Sequence, residues 1–304
     1  MFLIIGASGF IGNKLYNYFK GKGVAVKGTY YSRTFEGAEK EGIYLDLGNP
    51  DFLNILSMKD LTHIFLCHGV TNIDECKTNR SSSYKINVTN TIKLLEGFRH
   101  TGVIPINLST DMVYSGSQQN CTESDIPAPV TEYGRQKVEV ENYIATQFSK
   151  YIILRLSKVY GIEKGDQTLF ASWLDSLTER KTILAAADIF ISPIYVMDVV
   201  HALDGLVTGK HYGIFNLGGH ETATRYEFSQ RLARFFKYDL SLIEKKSIND
   251  FGFIEPRPLY SNLSSAKAIE ATGIKLTSVE DCFKLMGKHI NNMEISATQG
   301  SVKR

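Results

Sequence analysis

The 304-residue chain has only four cysteines, and their spacing fits no metal-binding or redox motif. They stand far apart, at Cys67, Cys76, Cys121 and Cys282. This spacing excludes a Cys-x-x-Cys metal site and a dense disulfide framework. The seven histidines show no ligand spacing on one element either, so we expect no metal centre. A reducing compartment is the simplest environment for such a chain.

An excess of charge of one sign is also absent. Lys and Arg total 34, Asp and Glu total 32, and the formal net charge is +2. Nucleic-acid binders usually carry a clustered basic excess, so no nucleic-acid partner is expected. No run approaches the roughly 18 apolar residues that span a bilayer. The first apolar run, residues 1–5, is ended by Gly6 and is too short for a signal peptide. We therefore expect a soluble, cytoplasmic protein with no membrane partner.

What the chain does have is a series of short, mostly apolar runs separated by helical patterns. The runs occupy residues 2–5, 24–30, 42–47, 63–67, 105–108 and 151–156. Strands that are apolar along their whole length indicate a parallel sheet covered on both faces. Right-handed crossovers make such a sheet doubly wound. The predicted fold class is therefore α/β, with a doubly wound, Rossmann-type parallel sheet.

Beyond about residue 160 the pattern becomes less regular. Short strands are predicted at 189–191 and 213–217, and helices at 225–236 and 279–291. We expect residues 1–160 to form a dinucleotide-binding Rossmann domain, to which segments near 190–220 return. Residues 161–304 are expected to form mostly a smaller, substrate-binding C-terminal lobe.

A glycine-rich turn lies directly between the first predicted strand and the first predicted helix. Gly6 permits the tight turn, Gly9 lets the backbone approach a pyrophosphate, and Gly12 allows close packing. The helix then directs free N–H groups and the positive end of its dipole towards the phosphates. The alternative is a merely structural turn. The cofactor contacts expected here are Gly6, Ser8, Gly9, Phe10, Ile11 and Gly12.

The end of the second strand indicates which nicotinamide cofactor is preferred. NAD-type sites usually place a carboxylate there, and residues 29–33 contain none. Ser32 and Arg33 can instead bind a 2′-phosphate by charge-assisted hydrogen bonds. We therefore predict a preference for NADP(H), with NAD(H) left open; an ordinary surface arginine is the alternative for Arg33. Asp46 and Leu47, after the third strand, are expected at the adenine edge.

Tyr133 and Lys137 are four residues apart on one face of a predicted helix. Reduction of a ketone needs a hydride on carbon and a proton on oxygen, and a free tyrosine has a pKa near ~10. One cation at ~4 Å supplies the ~4 kcal/mol that lowers this pKa by ~3 units. We expect Lys137 to be that cation and Tyr133 to be the proton donor, both also touching the cofactor. Thr110, at the end of a buried strand, is expected to orient the carbonyl oxygen.

Together these motifs resemble an extended short-chain dehydrogenase/reductase. Residues 154–161, 192–199 and 257–263 narrow the resemblance to the dTDP-4-dehydrorhamnose reductase branch, and it covers residues 1 to about 290. The resemblance implies NADPH-dependent reduction of the 4-keto group of a nucleotide-linked deoxy sugar, held between the sheet and the C-terminal lobe. It also implies that Arg257 lies near the nucleotide–diphosphate end; a structural salt bridge is the alternative for this residue.

The sequence departs from that branch at several positions. An aromatic residue is usual where Met112 stands and a tryptophan where Lys158 stands, and both positions face the sugar in the family. The usual Asn-Ala-Ala run reads Cys67-His68-Gly69 after Leu66, and His68 either touches a ligand or is structural. The resemblance places Gly69 on the cofactor. It places Thr71, Met112, Lys158 and Arg257 on the substrate.

Two other functions stay open at this point. An NAD-dependent nucleotide-sugar 4-epimerase would use the same Tyr133, and a non-catalytic NADP-binding regulatory subunit belongs to a different class. The intact set of Thr110, Tyr133 and Lys137 argues against the regulatory subunit, which needs no proton donor. A dehydratase is not expected, because Met112 follows Asp111 where elimination needs a second carboxylate. A homodimer remains open.

Overall fold

The structure of the chain is a computed structural model that describes residues 1–49, 55–163 and 165–301, with only the backbone described from residue 291 onwards. The strands are β1 (Phe2–Ile5), β2 (Val26–Tyr30), β3 (Gly42–Tyr44), β4 (His63–Leu66), β5 (Ile104–Thr110), β6 (Ile152–Leu156), β7 (Val159–Tyr160), β8 (Ile183–Ala186), β9 (Phe190–Ile191), β10 (Ile194–Tyr195), β11 (Gly213–Leu217), β12 (Ala223–Thr224), β13 (Ile243–Lys246) and β14 (Tyr260–Ser261). The helices are α1 (Phe10–Gly21), α2 (Ala38–Glu41), α3 (Ile73–Thr78), α4 (Arg80–Tyr84), α5 (Asn90–Phe98), α6 (Glu132–Gln147), α7 (Leu169–Thr178), α8 (Val196–Thr208), α9 (Arg225–Phe235), α10 (Ala266–Thr272) and α11 (Val279–Ser301).

The central sheet has seven strands in the order β11-β6-β5-β4-β1-β2-β3, all parallel to their neighbours. This confirms the predicted α/β fold. The strand order reverses between β1 and β4, where Ile5 lies opposite Leu66. Open α/β sheets bind their ligands at such a switch point, beyond the carboxyl ends of the strands.

Successive side chains of each strand point to opposite faces of the sheet, so a fully apolar strand serves two cores. Ile4 and Phe65 belong to one core, together with residues of α1 and α8. Leu3 and Ile64, their neighbours in sequence, belong to the core on the other face, with residues of α5 and α6. The continuous apolar runs of the sequence are therefore explained by a sheet covered on both faces.

Two strands are shorter than predicted: β2 begins two residues later, and β3 ends three residues earlier. The N–H of Val24 donates to the carbonyl of Phe19 at 3.0 Å, which ends α1, and β2 starts only at Val26. After β3, a carboxylate oxygen of Asp46 accepts the N–H of Gly48 at 2.7 Å and forms a turn. Local hydrogen bonds thus shorten both strands.

A third core lies outside the central sheet. Its buried members include Tyr160, Phe170, Phe228 and Phe283, beside two small sheets, β8–β13 and β12–β9–β14. The chain returns to the central sheet at β11, the edge strand beside β6, and α10 then packs on α8 and β11. The domain boundary near residue 160 stays a prediction. Among the described residues, no helix combines the length and apolarity needed to cross a membrane.

Candidate active site

The glycine turn follows β1 at the switch point of the sheet. Gly6 has φ +84°, a backbone conformation that favours glycine. A Cβ on Gly12 would lie 2.2 Å from the carbonyl oxygen of Gly6, so only glycine fits there. No side chain caps the first turn of α1, which leaves its N–H groups available to an anion. The turn therefore has the shape and the donors of a pyrophosphate cradle.

The residues predicted for the adenosine half of a dinucleotide lie beyond β2 and β3, at the same edge of the sheet as the glycine turn. Ser32 and Arg33 are exposed just after β2. One oxygen of Asp46 is occupied by the Gly48 N–H, and Leu47 is buried, with its carbonyl accepting from the Asn90 side chain. Arg33 is thus free to meet an anion, whereas Asp46 already serves its own turn.

A cavity of about 370 Å³ opens beyond the carboxyl ends of β4, β5 and β6. The predicted site residues in its lining are Ile11, Thr71, Thr110, Met112, Tyr133, Lys137, Lys158 and Arg257. The predicted residues outside this lining are Gly6, Ser8, Gly9, Phe10, Gly12, Ser32, Arg33, Asp46, Leu47 and Gly69. The residues outside the lining are those predicted to bind the cofactor, most of them at its phosphates and adenosine.

One wall of the cavity, which we call the sheet wall, is made by Thr110, Tyr133 and Lys137. Thr110 ends β5, and the other two lie one helical turn apart near the start of α6. The Lys137 ammonium donates to the carbonyl of Leu108 at 3.0 Å and lies 5.9 Å from the centre of the Tyr133 ring. Strand and helix thus bring a hydroxyl, a phenol and an ammonium together.

The pKa of Tyr133 differs from the expectation. Burial raises it above its ordinary value, and the negative charge of Asp111 raises it further. The predicted lowering by Lys137 is therefore wrong for the structure as it stands. The physical reason is that the Lys137 ammonium is bonded to Leu108 and lies over the ring of Tyr133, and burial lowers its own pKa.

Thr110 is engaged with its neighbour in the chain. Its hydroxyl donates to a carboxylate oxygen of Asp111 at 2.8 Å and accepts the N–H of Met112 at 3.2 Å. Burial raises the pKa of Asp111 to about 6. The hydrogen bond from Thr110 and the positive charge of Lys158 act in the opposite direction and lower this pKa. A substrate oxygen that takes the Thr110 proton has to compete with this carboxylate.

His68 lines the cavity from the loop after β4. Its Nε2 lies 2.7 Å from the hydroxyl of Thr91, and that hydroxyl donates its own proton to the carbonyl of Ile86. Nε2 therefore carries the ring proton, and Nδ1 is a buried acceptor without a hydrogen-bond partner among the described residues. Burial, helped by the charge of Lys137, lowers the pKa of His68 to about 3. His68 is accordingly a neutral imidazole.

Three other residues of the lining carry positive charge, and we call them the cation wall: Lys158, Arg225 and Arg257. Arg257 pairs with Asp74 at 2.9 Å, donates to the carbonyl of Glu255 and stacks 4.1 Å from the Phe253 ring. The salt bridge considered as an alternative for Arg257 is therefore present, and the same side chain also lines the cavity.

Arg225 is a site residue that the sequence analysis missed. It is the first residue of α9, after a capping box between Thr224 and Glu227. Within the described part of the chain, its buried Nε has no hydrogen-bond partner. Burial, and to a smaller extent the charge of Arg257, lowers the pKa of Arg225. The capping box could have located the helix start in the sequence. It gives no sign that this start faces the cavity.

Glu255 connects the two walls. Both of its carboxylate oxygens accept the N–H of Glu132, the first residue of α6, at 2.9 and 3.0 Å. Glu255 is buried, and its own N–H donates to Asp74, the ion-pair partner of Arg257. The start of the helix that carries Tyr133 is thus fixed to the segment that carries Arg257.

A parallel sheet with a glycine cradle at its switch point, and a threonine, tyrosine and lysine grouped beside it, defines an extended short-chain dehydrogenase/reductase. The sequence profile of the family described as "RmlD substrate binding domain" matches residues 1–291. The chain belongs to this family.

Three curated relatives match nearly the whole chain. A probable low-salt glycan biosynthesis reductase of Haloferax volcanii is 26% identical, over 91% of this chain and 94% of its own. A dTDP-4-dehydrorhamnose reductase of Aggregatibacter actinomycetemcomitans is 28% identical, over 90% and 93%. The β subunit of methionine adenosyltransferase 2 of Xenopus tropicalis is 26% identical, over 90% and 82%.

Solved structures share the fold. A hypothetical dTDP-4-dehydrorhamnose reductase of Sulfolobus tokodaii is 26% identical with a TM-score of 0.82, over 92% of this chain and 98% of its own. A dTDP-4-dehydrorhamnose reductase of Bacillus anthracis, solved with NADP, is 22% identical with a TM-score of 0.81, over 94% and 97%. The predicted resemblance to this branch is thereby confirmed.

Proposed function

We propose that the protein is an NAD(P)-dependent oxidoreductase that reduces the 4-keto group of a nucleotide-linked deoxy sugar, with NADPH as the preferred reductant. The observation that carries the proposal is the presence of both walls in the lining of one cavity. The sheet wall offers a phenol and a hydroxyl to a reacting oxygen, and the cation wall offers positive charge to a diphosphate. The reductase names of two curated relatives support the same class of reaction.

On the sheet wall, Tyr133 donates the proton that the keto oxygen gains. A nicotinamide cofactor, when bound, supplies the hydride. Burial raises the pKa of Tyr133, which keeps the phenol protonated but makes it a weaker acid. Lys137 stabilises the phenolate formed in the transfer only when its ammonium leaves the Leu108 carbonyl and turns towards the phenol oxygen. Thr110 orients the keto oxygen when its hydroxyl turns away from Asp111.

On the cation wall, Arg225 and Arg257 hold the diphosphate of the nucleotide sugar. Guanidinium groups match phosphate oxygens in geometry as well as in charge. Phosphate oxygens would give the buried Nε of Arg225 the acceptor that it lacks. The Phe253 ring, stacked on Arg257, adds an apolar surface beside the same group.

The cofactor preference rests on the edge of the sheet beyond β2. Arg33 and Ser32 are exposed there, and no carboxylate occurs in residues 29–33 to repel a 2′-phosphate. The cradle formed by Gly6, Gly9 and Gly12 fits the pyrophosphate, since a Cβ at any of the three would collide with or crowd backbone atoms.

A panel of nucleotide-linked 4-keto-6-deoxy sugars tests the proposal, with NADPH and NADH consumption followed by absorbance and the products identified. Net NADPH consumption with at least one member is the expected result. Tightly retained NAD with no net consumption would identify a 4-epimerase instead. Tight cofactor binding without turnover of any sugar would identify a non-catalytic subunit, a function suggested by the methionine adenosyltransferase subunit among the relatives.

A further inference from the structure

The first turn of α6 is held by two contacts with other segments of the chain. A Cβ on Gly134 would lie 2.2 Å from the carbonyl oxygen of Met112, so this turn packs directly on the backbone that follows β5. Both carboxylate oxygens of Glu255 accept the buried N–H of Glu132, at 2.9 and 3.0 Å. Tyr133 stands between these two anchored residues in the sequence, so its position depends on both contacts.

Glu255 is fixed through its own backbone as well. Its N–H donates to a carboxylate oxygen of Asp74 at 3.3 Å, and its carbonyl accepts from the guanidinium of Arg257 at 2.9 Å. Asp74 and Arg257 also pair with each other at 2.9 Å. The position of the buried Glu255 carboxylate is therefore set by α3 and by the segment that carries Arg257.

A buried carboxylate is a costly way to hold a helix. Taking the charge out of water costs stability unless a cation balances it. The guanidinium of Arg135 lies 3.5 Å from the Glu255 carboxylate but is 47% exposed, which weakens its effect. The start of α6 also has a local cap, because the Thr131 hydroxyl accepts the N–H of Gly134 at 3.1 Å. This cap serves helix formation, whereas Glu255 ties the first turn to a distant segment.

Resting on the proposed function, we propose that Glu255 is a positioning residue for the proton donor: its carboxylate holds the first turn of α6 where the Tyr133 phenol meets the keto oxygen. Glu255 lies outside the cavity lining, so it acts only through the helix. A misplacement of about 1 Å in a reacting group can cost about 100-fold in rate. Without the carboxylate, the buried N–H of Glu132 loses its acceptor, which favours such a shift of the turn.

Kinetics of two variants of similar size separate positioning from packing. Glu255→Met fills the same space without an acceptor and should reduce kcat at least about tenfold, with the KM for the nucleotide sugar nearly unchanged. Glu255→Gln, whose amide oxygen still accepts the Glu132 N–H, should keep most of the wild-type kcat. In a Tyr133→Phe background, Glu255→Met should cause no further fall, because the group that it positions is gone.

Glu221→Met is the matched control. The Glu221 carboxylate accepts the N–H of Val279, the first residue of α11, at 3.0 Å outside the cavity lining. This variant should keep the wild-type kcat. A Glu255→Met variant with wild-type kcat and only a raised KM would contradict the proposal, since Glu255 would then serve the segment of Arg257 alone. An equal fall of kcat in the Tyr133→Phe background would contradict it as well.

Hydrogen exchange measured by mass spectrometry tests the same contact without substrate. In Glu255→Met, the backbone amides of residues 132–134 should exchange at least about tenfold faster than in the wild type, and Glu255→Gln should stay close to the wild type. Unchanged exchange in Glu255→Met would overturn the proposal, because the turn is then held without the carboxylate. Absence of turnover in the wild type would count against the proposed function, and the exchange result would still decide whether Glu255 holds the turn.

Discussion

The two walls of the cavity are built in different ways. Tyr133 and Lys137 of the sheet wall share one helix, and Thr110 ends the strand β5, against which that helix packs. The three cations of the cation wall come from three separate segments, after β6, at the start of α9, and in the loop before β14. The sheet wall is therefore a product of regular secondary structure, whereas the cation wall exists only once the whole chain has folded.

On the proposed function, this difference separates chemistry from recognition. A proton donor has to be held to within a fraction of an ångström, and a packed helix on a central strand provides that precision. A recognition surface on less regular segments can change without disturbing the donor, as expected for loops positioned by a rigid scaffold. Glu255 is where the two meet, because it caps the helix of Tyr133 from the segment of Arg257.

The largest expected effect comes from Tyr133→Phe. If Tyr133 is the general acid, its loss should reduce kcat by about 100-fold or more, while NADPH still binds. Tyr143→Phe is the matched control, because that tyrosine lies on the same helix and does not line the cavity. Near-normal kcat in Tyr133→Phe would remove the chemical role of the sheet wall.

Asp111→Asn tests the cost of a buried carboxylate between the walls. Because the pKa of Asp111 is raised from 3.8 to about 6, the folded protein binds this proton more tightly than the unfolded chain does. Wild-type stability should therefore fall as the pH rises from about 4 to above 6, by about 3 kcal/mol. The variant, which mimics the protonated form, should lack this fall in urea unfolding from pH 4 to 8. Parallel stability curves for the two proteins would contradict the raised pKa.

Gly12→Ala should weaken NADPH binding by at least about tenfold. The new methyl group would meet the Gly6 carbonyl oxygen at 2.2 Å, so the phosphate cradle has to shift. Gly21→Ala, at the other end of α1 with nothing within 4 Å, should leave the affinity unchanged. Fluorescence titration with NADPH measures both, and equal affinities would show that the cradle tolerates a side chain.

Arg257→Met should raise the KM for the nucleotide sugar about tenfold and leave kcat nearly unchanged, the reverse of Tyr133→Phe. On the proposed function, the lost interaction is a charge-assisted hydrogen bond to phosphate. Arg231→Met is the control. Arg231 lies on α9 outside the cavity lining, and it forms a similar ion pair with Glu221. A fall in kcat without a change in KM would mean that Arg257 acts through Glu255 on the helix of Tyr133.

The smallest effect is expected for Arg33→Ala. Arg33 is exposed, so solvent screens its interaction with a bound anion. The KM for NADPH should rise several-fold and the KM for NADH should stay unchanged, because only NADPH carries the 2′-phosphate. Steady-state kinetics with each cofactor measure the two values. Equal changes for the two cofactors would assign Arg33 to the surface alone.

The sequence predicted local elements more fully than tertiary contacts, although it also predicted that segments near 190–220 return to the first domain. The run from Gly6 to Gly12 and the helix of Tyr133 are short-range patterns, and the structure has both elements where they were predicted. The run at 213–217 was predicted as a strand, but its pairing with β6 depends on a contact across about 60 residues. Arg225 carried no local signal of its place in the cavity. The altered pKa of Tyr133 arises from burial, which spacing alone does not reveal.

On the proposed function, the phenol of Tyr133 contacts the oxygen, and the nicotinamide ring contacts the carbon, of the same substrate carbonyl group. A crystal structure with NADP⁺ and a nucleotide sugar bound measures this directly. The expected result is the Tyr133 hydroxyl at about 2.6–3.2 Å from the sugar oxygen that is reduced, with the nicotinamide ring against the attached carbon. A Tyr133 hydroxyl turned into the protein interior, or a nicotinamide ring bound at the far end of the cavity, would contradict it.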